Sequence, residues 1–320
     1  QTFDQFFRKF IRVGALKVIY FGTPDWAIPP LEGLISEGFQ VSMVITQPDR
    51  LTGRRKVLTP CAVKAFALQK NLPVFSPIKI KDMDVFNHLK QKNPDLIIVC
   101  AYGQILPQKL LDLPSFGSFN IHFSILPKFR GASPVQASIL AGDSTTGISI
   151  QKMVMKLDAG PILSEKKSIE ILKSDTSRTL GEKLSAQSKD LLIESIHQII
   201  ANKRLVEQDE SKATFCGLIK KEMGRINWIE DTPELISRKL RAYDPWPGIY
   251  SYDSDGKRIN FVAIELSSHY TKLGVIQNDF SIGCKDGSVK VKRIKPEGKR
   301  IMTGEEFLRG RSHLINTSLS

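Results

Sequence analysis

Three polar residues alternate along the run at positions 119–124, which reads Phe-Asn-Ile-His-Phe-Ser. Side chains two positions apart lie on the same face of a strand, so Asn120, His122 and Ser124 share one face. An imidazole can move protons near neutral pH, and an amide is a hydrogen-bond donor that carries no charge. The pattern indicates either a candidate active site or three polar groups that face water beside a surface loop.

Two further polar residues follow predicted strands. Tyr102 comes after the unbroken apolar run 95–101, which is typical of a strand buried on both faces of a parallel sheet. Asp158 comes after the alternating run 149–155. Ligands bind at the carboxyl ends of strands in open α/β sheets, so we expect both residues beside the polar face of the 119–124 run, at the ends of three consecutive strands. The alternative for Asp158 is a turn residue ahead of Gly160.

Strands and helices alternate through residues 16–205, and this alternation predicts a doubly wound, Rossmann-like parallel sheet of α/β class. Residues 206–213 are polar and charged, and we interpret them as a linker. Short alternating segments with Gly-containing turns in residues 214–320 predict a small antiparallel β-barrel. Residues 1–15 show no signal-peptide pattern and are left unassigned within the first domain, 1–205. Helices are predicted at residues 29–37, 62–70, 85–92, 134–141, 179–200 and 233–242.

Charge, cysteine content and apolar runs limit the classes of protein to which the chain can belong. The 320 residues carry a formal net charge of +13, which suggests a polyanionic partner or a Lys-rich lineage. Four widely spaced cysteines contain no Cys-x-x-Cys pair, so neither a zinc site nor a disulfide framework is expected. No apolar run approaches the roughly 20 residues of a membrane helix. These features predict a cytoplasmic enzyme without a membrane association.

The turn after the first predicted strand argues against a dinucleotide site. It reads Gly22-Thr23-Pro24-Asp25, with one glycine, and Pro24 lacks the backbone N–H that a phosphate cradle would use. No Gly-x-Gly-x-x-Gly follows a strand in the sequence. An NAD enzyme is therefore disfavoured despite the Rossmann-like topology.

Five separated motifs, in order, resemble those of one known family. They are Phe-Gly-Thr-Pro-Asp-Trp-Ala (21–27), Thr-Gln-Pro-Asp-Arg (46–50), Ala-Tyr-Gly-Gln-Ile-Leu-Pro (101–107), Leu-Pro-Lys-Phe-Arg-Gly-Ala (126–132) and Arg-Ala-Tyr-Asp-Pro-Trp-Pro-Gly (241–248). The chain resembles the folate-dependent formyltransferases, and among them the bacterial members that act on methionyl-tRNA. The resemblance extends from about residue 16 to near the C-terminus. Phe123 departs from the pattern, since the family has a small residue there, and this concerns packing more than chemistry.

The resemblance implies transfer of the formyl group of 10-formyltetrahydrofolate to the methionine α-amino group of initiator methionyl-tRNA. It implies an OB-like second domain that binds tRNA, no metal and no NAD, and we expect a monomer. The implied catalytic residues are Asn120, His122 and Asp158. The implied folate-binding residues are Tyr102, Gly103, Ile105, Leu106, Ser124, Leu126 and Pro127. The implied tRNA-binding residues are Arg50, Arg54, Arg55, Lys56, Lys290, Lys292 and Arg293.

Formyl transfer requires stabilisation of an oxyanion and management of two protons. Asn120 suits the oxyanion, His122 can donate to it or move protons, and Asp158 can orient the imidazole or carry a proton through water. Ser124 is either a positioning residue or structural, and neither Asn120 nor His122 is expected in the core. Two other readings stay open: a formyltransferase or formyl-folate hydrolase acting on a small molecule, and a non-catalytic tRNA-binding module.

Overall fold

A computed structural model of the protein describes residues 16–53 and 56–320. Within these residues the chain divides into two compact units. The first contains the residues up to 134 together with 145–170 and 181–216. The second contains 135–144, 171–180 and 217–320. The first unit therefore extends past the segment that the sequence predicted to be a linker.

Eleven strands belong to the first unit, and their apolar, β-branched runs form its core. Two central strands, residues 17–22 and 96–100, are buried at every position except Lys17, as parallel strands covered on both faces are. In chain order they are β1 (Lys17–Gly22), β2 (Gln40–Ile45), β3 (Arg50–Thr52), β4 (Val57–Thr59), β5 (Val74–Phe75), β6 (Leu96–Cys100), β7 (Ser118–His122), β8 (Arg130–Gly131), β9 (Thr145–Lys152), β10 (Ile162–Glu170) and β11 (Phe215–Cys216).

Seven of these strands form one sheet in the order β10-β9-β7-β6-β1-β2-β5. The five strands from β7 to β5 are parallel, as predicted. Strand β9 runs antiparallel to β7, and β10 runs antiparallel to β9, so the predicted parallel sheet carries two antiparallel strands at this edge. The alternation of polar and apolar residues along β9 indicates an antiparallel strand, because parallel central strands have unbroken apolar runs. Strand β10 was not predicted, because its centre is rich in charged residues.

Helices occur where the apolar periodicity predicted them, within two residues at each end. The first begins with two prolines in its opening turn, where their missing N–H groups cost nothing, and Gly38, at φ +79°, follows its end. In chain order the α-helices up to residue 216 are α1 (Ile28–Ser36), α2 (Ala62–Gln69), α3 (Met83–Lys90), α4 (Gln108–Leu111), α5 (Pro134–Ala141) and α6 (Ser177–Ile200).

The second unit is built on an antiparallel sheet, as the short alternating segments predicted. Four strands pair in the order β12-β13-β15-β14, and β16 pairs with β15. On β15, Val289, Val291 and Ile294 are buried, and the exposed pair Lys292 and Arg293 interrupts the alternation between the last two. The elements are β12 (Ile249–Tyr252), β13 (Arg258–Ser267), β14 (Ser281–Cys284), β15 (Gly287–Pro296) and β16 (Met302–Thr303), with helices α7 (Pro233–Ala242) and α8 (Gly304–Arg309).

Within residues 16–53 and 56–320, no helix has both the length and the apolar content that a membrane span requires.

Candidate active site

The carboxylate of Asp158 is the centre of a buried cluster of polar side chains. Its Oδ1 accepts hydrogen bonds from Asn120 Nδ2 at 3.2 Å and from Gln151 Nε2 at 2.8 Å. Its Oδ2 accepts from the backbone N–H of Gly131 at 2.8 Å and lies 3.7 Å from His122 Nδ1. The Asp158 and His122 side chains are only 8% and 5% exposed. Three neutral donors thus stabilise the carboxylate, and all three come from outside its own turn.

The imidazole of His122 is held between a carbonyl and this carboxylate. Its Nε2 atom lies 2.9 Å from the backbone oxygen of Phe129. Because a carbonyl oxygen only accepts, Nε2 must carry the hydrogen of this bond. Nδ1 is then the basic nitrogen of the neutral ring, and it faces Asp158. A proton that arrives at Nδ1 is stabilised by the carboxylate, so the arrangement suits a proton acceptor.

Strand register brings the side chains of Asn120 and Gln151 together, whereas Asp158 approaches them from a turn and not from the end of a parallel strand. Asn120 lies opposite Gln151 in the pairing of β7 with β9. Because β9 is antiparallel, its carboxyl end lies beside the amino end of β7, and the expectation that Asp158 follows a strand end at the same edge as His122 was wrong. Residues 153–161 turn back along the sheet, and Asp158 adopts φ +51°. A Cβ on Gly160 would lie 1.7 Å from the oxygen of Lys152, so only glycine fits this turn.

The loop at residues 124–131 supplies the other contacts of the cluster. The buried Ser124 hydroxyl donates to the carbonyl of Lys128 at 2.6 Å, which closes the loop. Phe129 adopts φ +60°, and its N–H donates to Thr214 Oγ1 at 2.8 Å. A Cβ on Gly131 would lie 2.0 Å from the oxygen of Cys216, because β8 and β11 pair closely here. Ser124 therefore uses its hydroxyl to shape the loop that holds His122.

The segment 206–213, predicted to be a linker, contacts this cluster. The Arg130 guanidinium is 1% exposed, and it donates two hydrogen bonds to Gln208 Oε1, at 2.7 and 3.0 Å. It donates two more to the Glu210 carboxylate, at 2.7 and 3.1 Å. Lys156 Nζ also donates to Glu210, at 2.6 Å. These bonds, first that from Arg130, lower the pKa of Glu210 to about 2.

Most residues that the resemblance assigned to folate have buried side chains. Tyr102, Leu106 and Leu126 are at most 3% exposed. The Tyr102 carbonyl accepts from Thr23 Oγ1 at 2.9 Å and from Gln47 Nε2 at 3.2 Å. Burial raises the pKa of the Tyr102 hydroxyl well above its ordinary value. Gly103 and Ile105 are the two exposed residues among the seven that the resemblance assigned to folate.

The basic residues assigned to tRNA are placed on both units. Arg50 is exposed on the β3–β4 hairpin, and Lys56 follows at φ +48°, whereas Arg54 and Arg55 lie outside the described residues. On β15, Lys290 pairs with Asp279 at 3.3 Å and Lys292 pairs with Glu265 at 3.1 Å. The neighbouring Arg293 is exposed. Part of the positive charge on β15 is thus already paired within the protein.

Sequence reasoning missed four contributors to the cluster: Phe129, Gly131, Gln151 and Gln208. Gln151 had a signal, because Ser149 and Gln151 alternate with isoleucines as the polar residues of 119–124 do. Phe129 and Gly131 act through backbone atoms, so their side-chain types carry no such signal. The polar surroundings of Gln208 predicted a solvated linker instead.

Comparisons with known proteins identify the family. A family model described as formyl transferase matches residues 16–196, and a model of its C-terminal domain matches residues 218–312. The chain belongs to the formyl transferase family. The resemblance found in the five motifs is thereby confirmed. Asn120, His122 and Asp158 lie inside the region that the first model matches, whereas Gln208 lies beyond it.

Two relatives in this family are similar to the chain over nearly their full lengths. The methionyl-tRNA formyltransferase of Enterococcus faecalis is 40% identical over 301 residues, covering 92% of this chain and 96% of the relative. That of Thermodesulfovibrio yellowstonii is 38% identical over 297 residues, with the same coverage. A crystal structure of WlaRD, a sugar 3N-formyl transferase, has a TM-score of 0.63 at 19% identity, covering 89% of this chain and 99% of that chain. This last similarity concerns the fold alone.

Proposed function

We propose that the protein transfers the formyl group of 10-formyltetrahydrofolate to the α-amino group of methionine on initiator methionyl-tRNA. The proposal is carried by the buried cluster of Asn120, His122 and Asp158, which offers an oxyanion donor beside a proton acceptor. It is supported by the relatives named methionyl-tRNA formyltransferase, which match the chain through both units. A non-catalytic tRNA-binding module would have no need of this cluster.

The formyl donor is proposed from the family and from the chemistry of the cluster. The WlaRD crystal contained 5-N-formyl-THF, which supports a formylated folate as the donor in this fold. We assign its binding to the segments 101–106 and 124–127, where Gly103 and Ile105 expose surface. The bound folate supplies the one-carbon unit together with the nitrogen that leaves.

The cluster can perform the proton and charge management of the transfer. Asn120 uses one N–H of its amide on Asp158. The second N–H can donate to the formyl oxygen while negative charge develops on it. Nδ1 of His122 takes the proton that the attacking ammonium loses, and the Asp158 carboxylate stabilises the resulting imidazolium. That first proton is released to solvent, and the second proton, which the attacking nitrogen loses once it has bonded to the formyl carbon, passes to the departing folate nitrogen as the old C–N bond breaks.

The basic residues distinguish a tRNA substrate from a small molecule. A formyltransferase or formyl-folate hydrolase for small substrates would share the cluster, but it would have little use for the basic hairpin loop or for β15. Exposed positive charge on the β3–β4 hairpin and on β15 suits the phosphates of an RNA. The assignment of Arg50, Arg54, Arg55, Lys56, Lys290, Lys292 and Arg293 to tRNA remains part of the proposal.

The decisive experiment supplies 10-formyltetrahydrofolate with charged initiator methionyl-tRNA, with free methionine, or with neither. Tetrahydrofolate release and formyl-methionine on the tRNA are followed in the same samples. We expect rapid, stoichiometric formation of both products with methionyl-tRNA alone. Equal folate release without an acceptor would identify a hydrolase, and formylation of the free amine at the same rate would identify a small-molecule enzyme.

A further inference from the structure

A single side-chain amide connects the two backbone segments that hold the catalytic pair. Gln208 Nε2 donates to the carbonyl of Gly160 at 2.6 Å and to that of Asp158 at 2.9 Å, and it lies 3.2 Å from Gln151 Oε1. Its Oε1 accepts both bonds from Arg130 described above. Both ends of the amide are therefore occupied, and neither end contacts the reacting groups.

The partners of Gln208 lie next to the atoms that fix His122 and Asp158. Arg130 stands between Phe129, whose carbonyl accepts from His122, and Gly131, whose N–H donates to Asp158. On the other side, the carbonyls that accept from Gln208 belong to the turn that carries Asp158 in a left-handed conformation, φ +51°. That conformation is costly for a residue with a side chain, so the turn needs support from its surroundings.

Acidic and basic groups around Gln208 hold its segment in place independently of the amide. Arg130 also donates to Glu210, and Lys156 donates to the same carboxylate. In addition, the backbone of Ile162 exchanges two hydrogen bonds with that of Val206, each 2.8 Å long. The segment therefore has anchors on both sides of Gln208, and removal of the amide alone leaves them intact.

We propose that Gln208 is a positioning residue for formyl transfer, which fixes the Asp158 turn against the loop that holds His122. This inference rests on the proposed function, since it concerns the same catalytic pair. The amide is suited to the task because it donates to two carbonyls while it accepts from a guanidinium. A carboxylate at this position would still accept from Arg130 but could not donate to Asp158 and Gly160.

The test compares Gln208→Leu and Gln208→Glu with Glu207→Leu, a matched control at the adjacent exposed residue. We expect both Gln208 variants to lower kcat by roughly 10- to 100-fold, the effect of a displacement of about 1 Å at a reacting group. KM for both substrates should be unchanged, because both ends of the Gln208 amide are bonded to groups of the protein itself. The pH–rate profile of kcat should change shape, since the environment of the His122–Asp158 pair is altered. Glu207→Leu should behave as the wild type.

Folded fraction is measured for each variant by the cooperative amplitude of urea unfolding. A Gln208→Leu variant that is folded and has wild-type kcat would overturn the proposal. So would a lower kcat that merely follows the folded fraction, with an unchanged pH profile. Wild-type kcat in Gln208→Glu would also overturn the proposal, because acceptance from Arg130 alone would then be sufficient for full activity. The kcat of each variant is divided by that of the wild type with the acceptor that the wild type uses. If that acceptor were not methionyl-tRNA, the proposed function would be refuted, and the same ratio would still test the role of Gln208.

Discussion

Asn120 and Asp158 are 38 positions apart in the sequence, and the amide of the first donates a hydrogen bond to the carboxylate of the second at 3.2 Å. This contact fixes the plane of the Asn120 amide and leaves one of its N–H groups for a substrate. It also makes the carboxylate part of the structure that orients the oxyanion donor. A change at Asp158 should therefore disturb both proton transfer and oxyanion binding.

We expect Asp158→Asn to lower kcat by at least ~100-fold, the usual contribution of a general acid–base or an oxyanion donor. An amide cannot accept at both ends, so its NH₂ group would face either the Gly131 N–H or the amides of Asn120 and Gln151. Single-turnover formylation across a pH series measures the effect, alongside folate affinity, which should stay similar. Asp84→Asn, at an exposed carboxylate of α3, is the control. Wild-type turnover with an unchanged pH profile would assign Asp158 a role in the turn alone.

His122 was expected outside the core, yet only 4% of the residue is exposed. We expect His122→Gln to lower kcat by at least ~100-fold, because an amide cannot accept the ammonium proton. His122→Ala should in addition lower the free energy of unfolding by roughly 1–3 kcal/mol, because the Phe129 carbonyl loses its imidazole donor and keeps only the weak thiol donor of Cys216 at 3.3 Å. Urea unfolding separates the two effects. If the alanine variant were as stable as the wild type, the bond to Phe129 would contribute nothing to the fold.

Acid should weaken the contact between Arg130 and Glu210 in a defined range of pH. The pKa of Glu210 falls from an ordinary 4.5 to about 2, chiefly through its bond from Arg130. A carboxylate with a lowered pKa stabilises the folded state fully above its unfolded-state pKa, and the effect is lost as pH falls through the folded-state pKa. The wild type should therefore exceed Glu210→Gln in stability above pH 4.5, and this difference should vanish near pH 2. Urea midpoints of both proteins between these limits measure it, and a difference independent of pH would contradict the pairing.

The sequence predicted most of the fold because local patterns dominate it. Unbroken apolar runs predicted β1 and β6, and the period of the apolar residues predicted the bounds of α5 without error. The antiparallel direction of β9 depends on a long-range pairing, and the alternation of polar and apolar residues along β9 was its local indication. The proposed catalytic residues Asn120, His122 and Asp158 were predicted from strand alternation together with the family motifs.

The boundary of the first unit illustrates what local patterns miss. Thr214 exchanges backbone hydrogen bonds with the loop beside His122, since its N–H donates to Pro127 at 3.2 Å and its carbonyl accepts from Arg130 at 2.8 Å. Polar composition predicted a solvated linker just before it. Polar residues also serve as hydrogen-bond partners for buried loops, and composition cannot distinguish these two uses.

The two exposed basic residues Lys292 and Arg293 of β15 should contribute unequally to tRNA binding. Lys292 is paired with Glu265 at 3.1 Å, so part of its charge is already neutralised, whereas Arg293 is exposed and lies next to it. We expect Arg293→Ala to weaken tRNA binding more than Lys292→Ala does. A lost phosphate contact should reduce the slope of log affinity against log salt by about 0.9 or less. Folate affinity should not change, because the proposed folate segments lie in the first unit.

Binding of initiator methionyl-tRNA across a salt series measures both slopes, with Glu265→Gln as the reciprocal variant. Glu265→Gln should free the Lys292 ammonium, tighten tRNA binding at low salt and steepen the slope. The same three variants should bind a formylated folate as the wild type does. If Arg293→Ala and Lys292→Ala left the salt slope unchanged, β15 would not contact the phosphates, and tRNA recognition would have to be sought on other basic residues such as those of the β3–β4 hairpin.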